Sequence, residues 1–263
     1  MSNIARAFEK GKAFIGFVTG GDPGIEKTGE FVLEMVRAGA DLVEIGIPFS
    51  DPIAEGPVIQ EANIRALDAG ATTDKLFTLV EGLRRETSVP LVFLSYLNPV
   101  FHYGYEAFFQ RCRQTGLDGL IVPDLPFEEQ GELRTIAAAC GVDLISLIAP
   151  TSEERVREIL RTASGFLYLV SSMGVTGLRR EIGTDLSAMV SSVKSRMELT
   201  GKRLPAAVGF GIHTPLQAAE IAKIADGVIV GSAIVKIIGE HGARAGSYIY
   251  DYVREMKEAI RGV

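Results

Sequence analysis

Residues 38–46 read Ala38-Gly39-Ala40-Asp41-Leu42-Val43-Glu44-Ile45-Gly46. A helical pattern closes on small residues and glycine, an aspartate follows, and an apolar run begins. Glycine reaches the left-handed conformation that ends a helix. The run is continuous rather than alternating, as in a parallel strand covered on both faces. The same join returns as Gly116-Leu117-Asp118-Gly119-Leu120-Ile121 and as Gly141-Val142-Asp143-Leu144-Ile145. It returns more loosely as Ala225-Asp226-Gly227-Val228-Ile229.

Counting outward from these joins gives eight apolar runs. They lie near Phe14–Val18, Leu42–Gly46, Leu91–Leu94, Leu120–Val122, Leu144–Ile148, Phe166–Val170, Ala206–Gly209 and Val228–Val230. Amphipathic stretches of helical length separate them, among them Ile25–Arg37, Thr73–Glu86, Phe127–Ala139, Ser152–Arg161 and Leu186–Met197. Thr214-Pro215 opens another, a cap residue followed by proline at the first helical position. The last spans about Ala243–Ile260. Strict alternation means parallel βαβ units with right-handed crossovers. A doubly wound open sheet shares this alternation. Eight repeats filling 263 residues without a linker or composition shift favour a closed (β/α)8 TIM barrel, read as one domain over residues 1–263. Extra short helices are expected at the N-terminus, after strand two and after strand eight.

Charge narrows the function classes. The formal net charge is −6, so nucleic acid and anionic membranes are poor partners. The basic pairs Arg84-Arg85, Arg179-Arg180 and Lys202-Arg203 read as solvated faces. Cys112 and Cys140 lie in helical patterns and make neither a disulfide framework nor a zinc site. Reduced thiols in a cytoplasmic protein are expected. Residues Met1–Lys12 carry no signal core, and no apolar run approaches the roughly 18 residues of a membrane helix.

In this fold the chemistry sits in the loops after the strands, with phosphate often held after strands seven and eight. Gly174-Val175-Thr176-Gly177 follows strand six, Gly209-Phe210-Gly211 follows strand seven, and Gly231-Ser232 opens a short apolar helix after strand eight. Glycine lets backbone N–H groups approach an anion, and a helix N-terminus presents unpaired N–H groups. Ser232 is expected to cap that helix and donate its hydroxyl. Glu44 is out of place in an apolar strand. Alternation puts it on one side with Leu42 and Gly46, facing the barrel interior. Partial burial there would raise its pKa and suit it to general acid–base work. The competing reading is a Glu paired with a basic residue of a neighbouring strand.

Residues 48–57 form a proline-braced acidic loop, with Glu55 a second carboxylate within reach of the same cavity. Asp51 reads equally as a turn former. Asp124 after strand four is open to catalytic, structural or partner-surface readings. The hydroxyl of Tyr168, inside strand six, needs a partner if buried. The three histidines are scattered, and no metal is expected.

Residues 44–52, Glu44-Ile45-Gly46-Ile47-Pro48-Phe49-Ser50-Asp51-Pro52, strongly resemble the signature of the tryptophan synthase α-subunit family. The likeness extends through Phe17-Val18-Thr19, Tyr96-Leu97-Asn98-Pro99, Pro123-Asp124-Leu125-Pro126 and the glycine sets. It implies cofactor-independent retro-aldol cleavage of indole-3-glycerol phosphate to indole and glyceraldehyde 3-phosphate. It implies that Glu44 is the acid–base and that Glu55 stabilises positive charge near the indole N–H. Tyr168 matches an active-site tyrosine, and Phe17 an aromatic that packs on indole. Gly209, Gly211, Gly231, Ser232 and Gly177 match the phosphate site, with Thr176 on the lid. Aspartate is the family's expected residue where Glu55 stands. The resemblance also implies docking on a pyridoxal-phosphate β subunit through Pro48, Asp51, Asp124 and the lid, with no pyridoxal phosphate on this chain. Another phosphate-binding barrel isomerase and a non-catalytic binding subunit are the remaining alternatives.

Overall fold

The computed structural model describes residues 2–150, 155–170, 184–209 and 211–263, with the side chains of 184 and 185 left aside. Eight parallel strands close into a barrel in chain order. They are β1 (Ala13–Thr19), β2 (Leu42–Gly46), β3 (Leu91–Leu94), β4 (Gly119–Ile121), β5 (Asp143–Ile148), β6 (Leu167–Val170), β7 (Ala206–Gly209) and β8 (Gly227–Val230). Each expected strand is present, with its bounds within a residue or so.

Helices wrap the outside. They are α1 (Ile25–Arg37), α2 (Pro57–Asp68), α3 (Thr73–Leu83), α4 (Leu97–Tyr103), α5 (Tyr105–Thr115), α6 (Gly131–Cys140), α7 (Val156–Thr162), α8 (Thr184–Thr200), α9 (Pro215–Ile224), α10 (Ser232–His241) and α11 (Gly246–Ile260). The extra elements fall where expected: a 3-10 turn over Ile4–Phe8, α2 after β2, and α10 after β8. Thr214 caps α9 through a reciprocal capping box with Gln217. The short α4 was not foreseen, because its seven residues are too few to show helical periodicity. No helix among the described residues is long and apolar enough to cross a membrane.

The alternation of each strand builds two cores. Ile15, Leu42, Val92, Ile121, Ile145 and Ile229 point inward and fill the barrel, and Ile4 and Ala7 plug its amino end. Outward residues such as Val43, Ile45 and Phe93 pack under the helices. Glu44 therefore points into the barrel, on the side of Leu42.

The aspartates of the repeated join have a shared task. Asp41, Asp118 and Asp226 each stand just before an even-numbered strand, and each clasps the start of the strand before it. Phe14 N–H donates to Asp41 Oδ2 at 2.7 Å, Leu91 N–H to Asp118 Oδ2 at 3.0 Å, and Ala206 N–H to Asp226 Oδ2 at 2.9 Å. In return the three aspartate N–H groups donate to the carbonyls of Phe14, Leu91 and Ala206. Charged acceptors make the stronger hydrogen bonds.

Asp118 is the most committed of the three. It also accepts from the backbone N–H of Asn3 at 2.8 Å and pairs with Arg84 at 2.5 Å. Arg84 is thus no solvated residue. Its guanidinium also reaches the Val89 and Gly116 carbonyls, while Arg85 stays exposed. Replacing Asp118 by Ala leaves the largely buried Arg84 guanidinium without its counter-charge and the Leu91 N–H without its acceptor. Urea unfolding of Asp118→Ala is expected to show a loss of about 3–5 kcal/mol. A loss under about 1 kcal/mol would mean the clasp is dispensable.

Candidate active site

The carboxyl ends of the strands surround a cleft of about 760 Å3, its open mouth included. Its floor and walls are apolar, from Phe17, Leu94, Ile121, Leu147 and Ile229. Its polar groups are Glu44, Glu55, Tyr96, Tyr168 and Ser232. This is the composition of a site for a flat apolar body with a few directed polar contacts.

Glu44 is 1% exposed, and its Oε1 finds no hydrogen-bond partner among the described residues. No basic residue of a neighbouring strand pairs with it there, so the competing structural reading of Glu44 loses its support. Burial pushes its carboxyl up from 4.5 to about 8. A buried ionisable group without a partner is costly, and such groups cluster at working sites. Tyr168 shares this environment: burial and the nearby Glu44 charge both hold its phenol well above the ordinary tyrosine range.

Glu55 ends the acidic loop and is buried. Asn63 Nδ2 donates to its Oε2 at 2.6 Å, and Gln60 Nε2 donates to its backbone carbonyl at 2.8 Å. Burial pushes its carboxyl up to about 7, against the lowering effect of Asn63. The loop is braced from β3: Ala54 N–H donates to the Tyr96 hydroxyl at 2.9 Å, and the Phe49 and Tyr96 rings lie 5.5 Å apart. Two carboxylates with raised values thus share one apolar cleft, the arrangement that suits acid–base chemistry near neutral pH.

Glycine makes room for the aromatics. A Cβ on Gly46 would lie 2.8 Å from the Phe17 ring, and one on Gly231 would lie 3.3 Å from it. Phe17 therefore fits against β2 because Gly46 is bare, and a side chain at Gly231 would crowd it. Gly209 has the same task for Tyr168, whose hydroxyl oxygen lies 2.5 Å and ring carbons 2.7–2.8 Å from where its Cβ would be. Gly209 does not line the cleft, because Tyr168 covers it. Gly211, Gly231 and Ser232 do line it, and Gly211 takes φ +80°, a conformation costly for other residues.

Ser232 does not cap α10, contrary to the expectation from sequence. Gly231 is the N-cap of α10 and Ser232 its first helical residue, with no side-chain cap bond. A side chain at the first helical position cannot fold back as a cap does. Its N–H and hydroxyl remain at the cleft wall, at the N-terminus of a ten-residue helix.

Thr176 and Gly177 lie outside the described residues, as does Phe210. Of the residues expected at a partner surface, Asp51 is exposed, whereas Pro48 is buried in the chain itself. Asp124 is half-buried and accepts the N–H of Leu97, the first residue of α4, at 2.9 Å. Asn63 and the bracing role of Tyr96 were not foreseen. The signal for Asn63 was a polar residue on the stripe Ile59, Ala62 and Ala66, the buried face of α2. Among the described residues no group of three His, Cys, Asp or Glu could hold a metal ion.

A closed eight-stranded barrel with two buried carboxylates and a glycine-bordered helix N-terminus in one cleft defines a (β/α)8-barrel acid–base enzyme. Known proteins agree. The family profile described as tryptophan synthase alpha chain matches residues 4–261. The tryptophan synthase alpha chain of Lactiplantibacillus plantarum is 49% identical over 263 residues, covering 100% of this chain and 97% of that one. That of Lacticaseibacillus casei is 47% identical over 260 residues, 99% of this chain and 96% of that one. Among solved structures, subunit alpha from Legionella pneumophila superposes with a TM-score of 0.87 at 35% identity, covering all of both chains. A chain from the tryptophan synthase α2β2 complex of Pyrococcus furiosus gives 0.87 at 37% identity, over 95% of this chain and 99% of that one. The chain belongs to the tryptophan synthase alpha chain family, whose reaction is the lyase cleavage of indole-3-glycerol phosphate.

Proposed function

We propose that Glu44 is the acid–base of this cleavage, with Glu55, Tyr168 and Phe17 shaping the site around the indole. The observation that supports it most is Glu44 itself, buried in the cleft with an Oε1 that finds no hydrogen-bond partner among the described residues. Its raised pKa keeps a proton available at neutral pH. Glu44 delivers that proton to the ring carbon that bears the side chain. The ionised carboxylate then takes the proton of the adjoining glycerol hydroxyl. The carbon–carbon bond breaks, its electrons restore the aromatic ring, and the hydroxyl carbon becomes an aldehyde. Atoms and protons balance, and Glu44 ends as it began. Ionised Glu55 offsets the positive charge that develops at the indole nitrogen. Phe17 packs against the ring, and the N–H groups of Gly211, Gly231 and Ser232 hold the phosphate. Thr176 and Gly177 complete the phosphate site and lid by family resemblance.

The P. furiosus complex named above supports a tryptophan synthase β subunit as partner. The exposed side chains beside the cleft mouth suit this docking: Asp51, with Ile53 at 75% and Phe101 at 67% exposure. Pro48 shapes this loop from beneath. Asp124 sets the start of α4, which carries Phe101. A cytoplasmic location and one catalytic domain over the whole chain complete the reading.

The test is indole release from indole-3-glycerol phosphate by the purified chain, with and without an added β subunit. Slow release alone, rising at least about tenfold with the β subunit, is expected. No release under either condition from a folded chain would move the assignment to a binding subunit.

A further inference from the structure

We propose that Asn63 is a positioning residue of this site: its amide holds one oxygen of Glu55, favours the ionised over the protonated carboxyl and leaves the other oxygen to the substrate. The inference rests on the lyase reading above. Its physical basis is the connection between α2 and the acidic loop. Glu55 precedes α2, yet its side chain folds back along the helix to meet Asn63, eight residues later, at 2.6 Å. Asn63 is 4% exposed, so water does not compete for this bond. Gln60, also on α2, holds the Glu55 carbonyl. Backbone and side chain of Glu55 are therefore both fixed from one helix.

That helix is itself anchored. Arg65 makes a two-pronged contact with the buried Asp22, Nε to Oδ1 at 2.9 Å and a terminal nitrogen to Oδ2 at 2.7 Å. Bidentate pairs of this kind fix geometry as well as charge. Asn63 thus has little freedom to follow Glu55 if the carboxylate moves.

The other groups around Glu55 do not favour its charge. Glu44 on β2, Tyr96 after β3 and Tyr168 on β6 line the same cleft, and no cationic side chain lines it among the described residues. Arg65 is committed to Asp22, and Glu61 on α2 is an acid. Asn63 is left as the described donor to the Glu55 side chain, opposing the burial that pushes it up to about 7. An amide donating through nitrogen favours the ionised acceptor. With glutamate where the family leads one to expect aspartate, this tether also takes up the longer side chain.

The experiment compares the parent chain, Asn63→Leu and Asn63→Gln in the full chain with its β subunit. In Asn63→Leu the acidic limb of the kcat–pH profile is expected to move up by about one unit. The value of kcat at pH 7 should fall several-fold to tenfold, with KM within about twofold. Asn63→Gln keeps a donor and should return the limb toward its parental position. Carboxyl-carbon NMR titration of Glu55 in the same proteins reads the tether without turnover. A Glu55 midpoint that rises in Asn63→Leu supports the tether even where indole release is absent, which would instead overturn the lyase reading. A folded Asn63→Leu chain whose Glu55 midpoint and acidic limb both stay in place overturns the proposal.

Discussion

Glu44→Gln is expected to lower kcat for indole release by about a thousandfold while phosphate-ligand affinity stays within about twofold. The amide keeps the shape of the side chain but can neither give nor take the proton. A second effect follows from burial. The carboxyl of Glu44 titrates near 4.5 when exposed and near 8 in the fold. The folded state therefore binds a proton that the unfolded chain has released, and the parent chain loses stability as pH rises from 4.5 to 8. The full effect, present above about pH 8, is on the order of 3–5 kcal/mol. Glutamine carries no such cost. Urea unfolding should show Glu44→Gln little changed at pH 4.5 and clearly more stable than the parent at pH 8. Substantial residual lyase activity would remove Glu44 from the mechanism. A stability gain independent of pH would mean that ionisation is not what the burial opposes.

Gly209→Ala is expected to lower kcat by about ten- to a hundredfold with phosphate affinity nearly unchanged. The added methyl would stand 2.5 Å from the Tyr168 hydroxyl oxygen and 2.7–2.8 Å from its ring, which is buried and cannot swing aside freely. Overpacking of this kind costs about 1–3 kcal/mol. A displacement near 1 Å in a positioned group costs on the order of a hundredfold in rate. The measurement is the split between kcat and KM, with inorganic phosphate binding as a separate readout. Weakened phosphate binding with kcat intact would restore Gly209 to the phosphate cradle and separate its role from Tyr168.

The contrast between Glu44 and Gly209 shows what could be read from sequence. Glu44 was legible because a charged residue interrupts an apolar strand, and strand alternation alone decides which way it points. The barrel was legible for the same reason: buried parallel strands need continuous apolar runs, so Leu42–Gly46 and Ala206–Gly209 carry their own bounds. Gly209 reads from sequence as a phosphate glycine, and its second task beside Tyr168 is hidden there because glycine near a strand end suits both an anion and a bulky neighbour. Only the register that places β7 beside β6 brings the Tyr168 neighbour into view. Asn63 was hidden for another reason. Its partner lies eight residues away, beyond the three- and four-residue spacings at which neighbours on one helix face meet. Arg84 misled as half of a basic pair, since the acidic partner that buries it is 34 residues further along the chain.

The aspartate clasps have a consequence for how this chain can change. They fasten β1 to β2, β3 to β4 and β7 to β8, all at the rim opposite the cleft. Before β6 stands Phe166, which carries no acceptor, so that seam closes without an equivalent carboxylate. Cohesion and chemistry are thus housed at opposite ends of the same strands. Loops at the catalytic rim can be lengthened, replaced or retuned for a new substrate while the fasteners at the other rim keep the strands in step. Such a molecule is free to diversify where it works because it is tied where it does not.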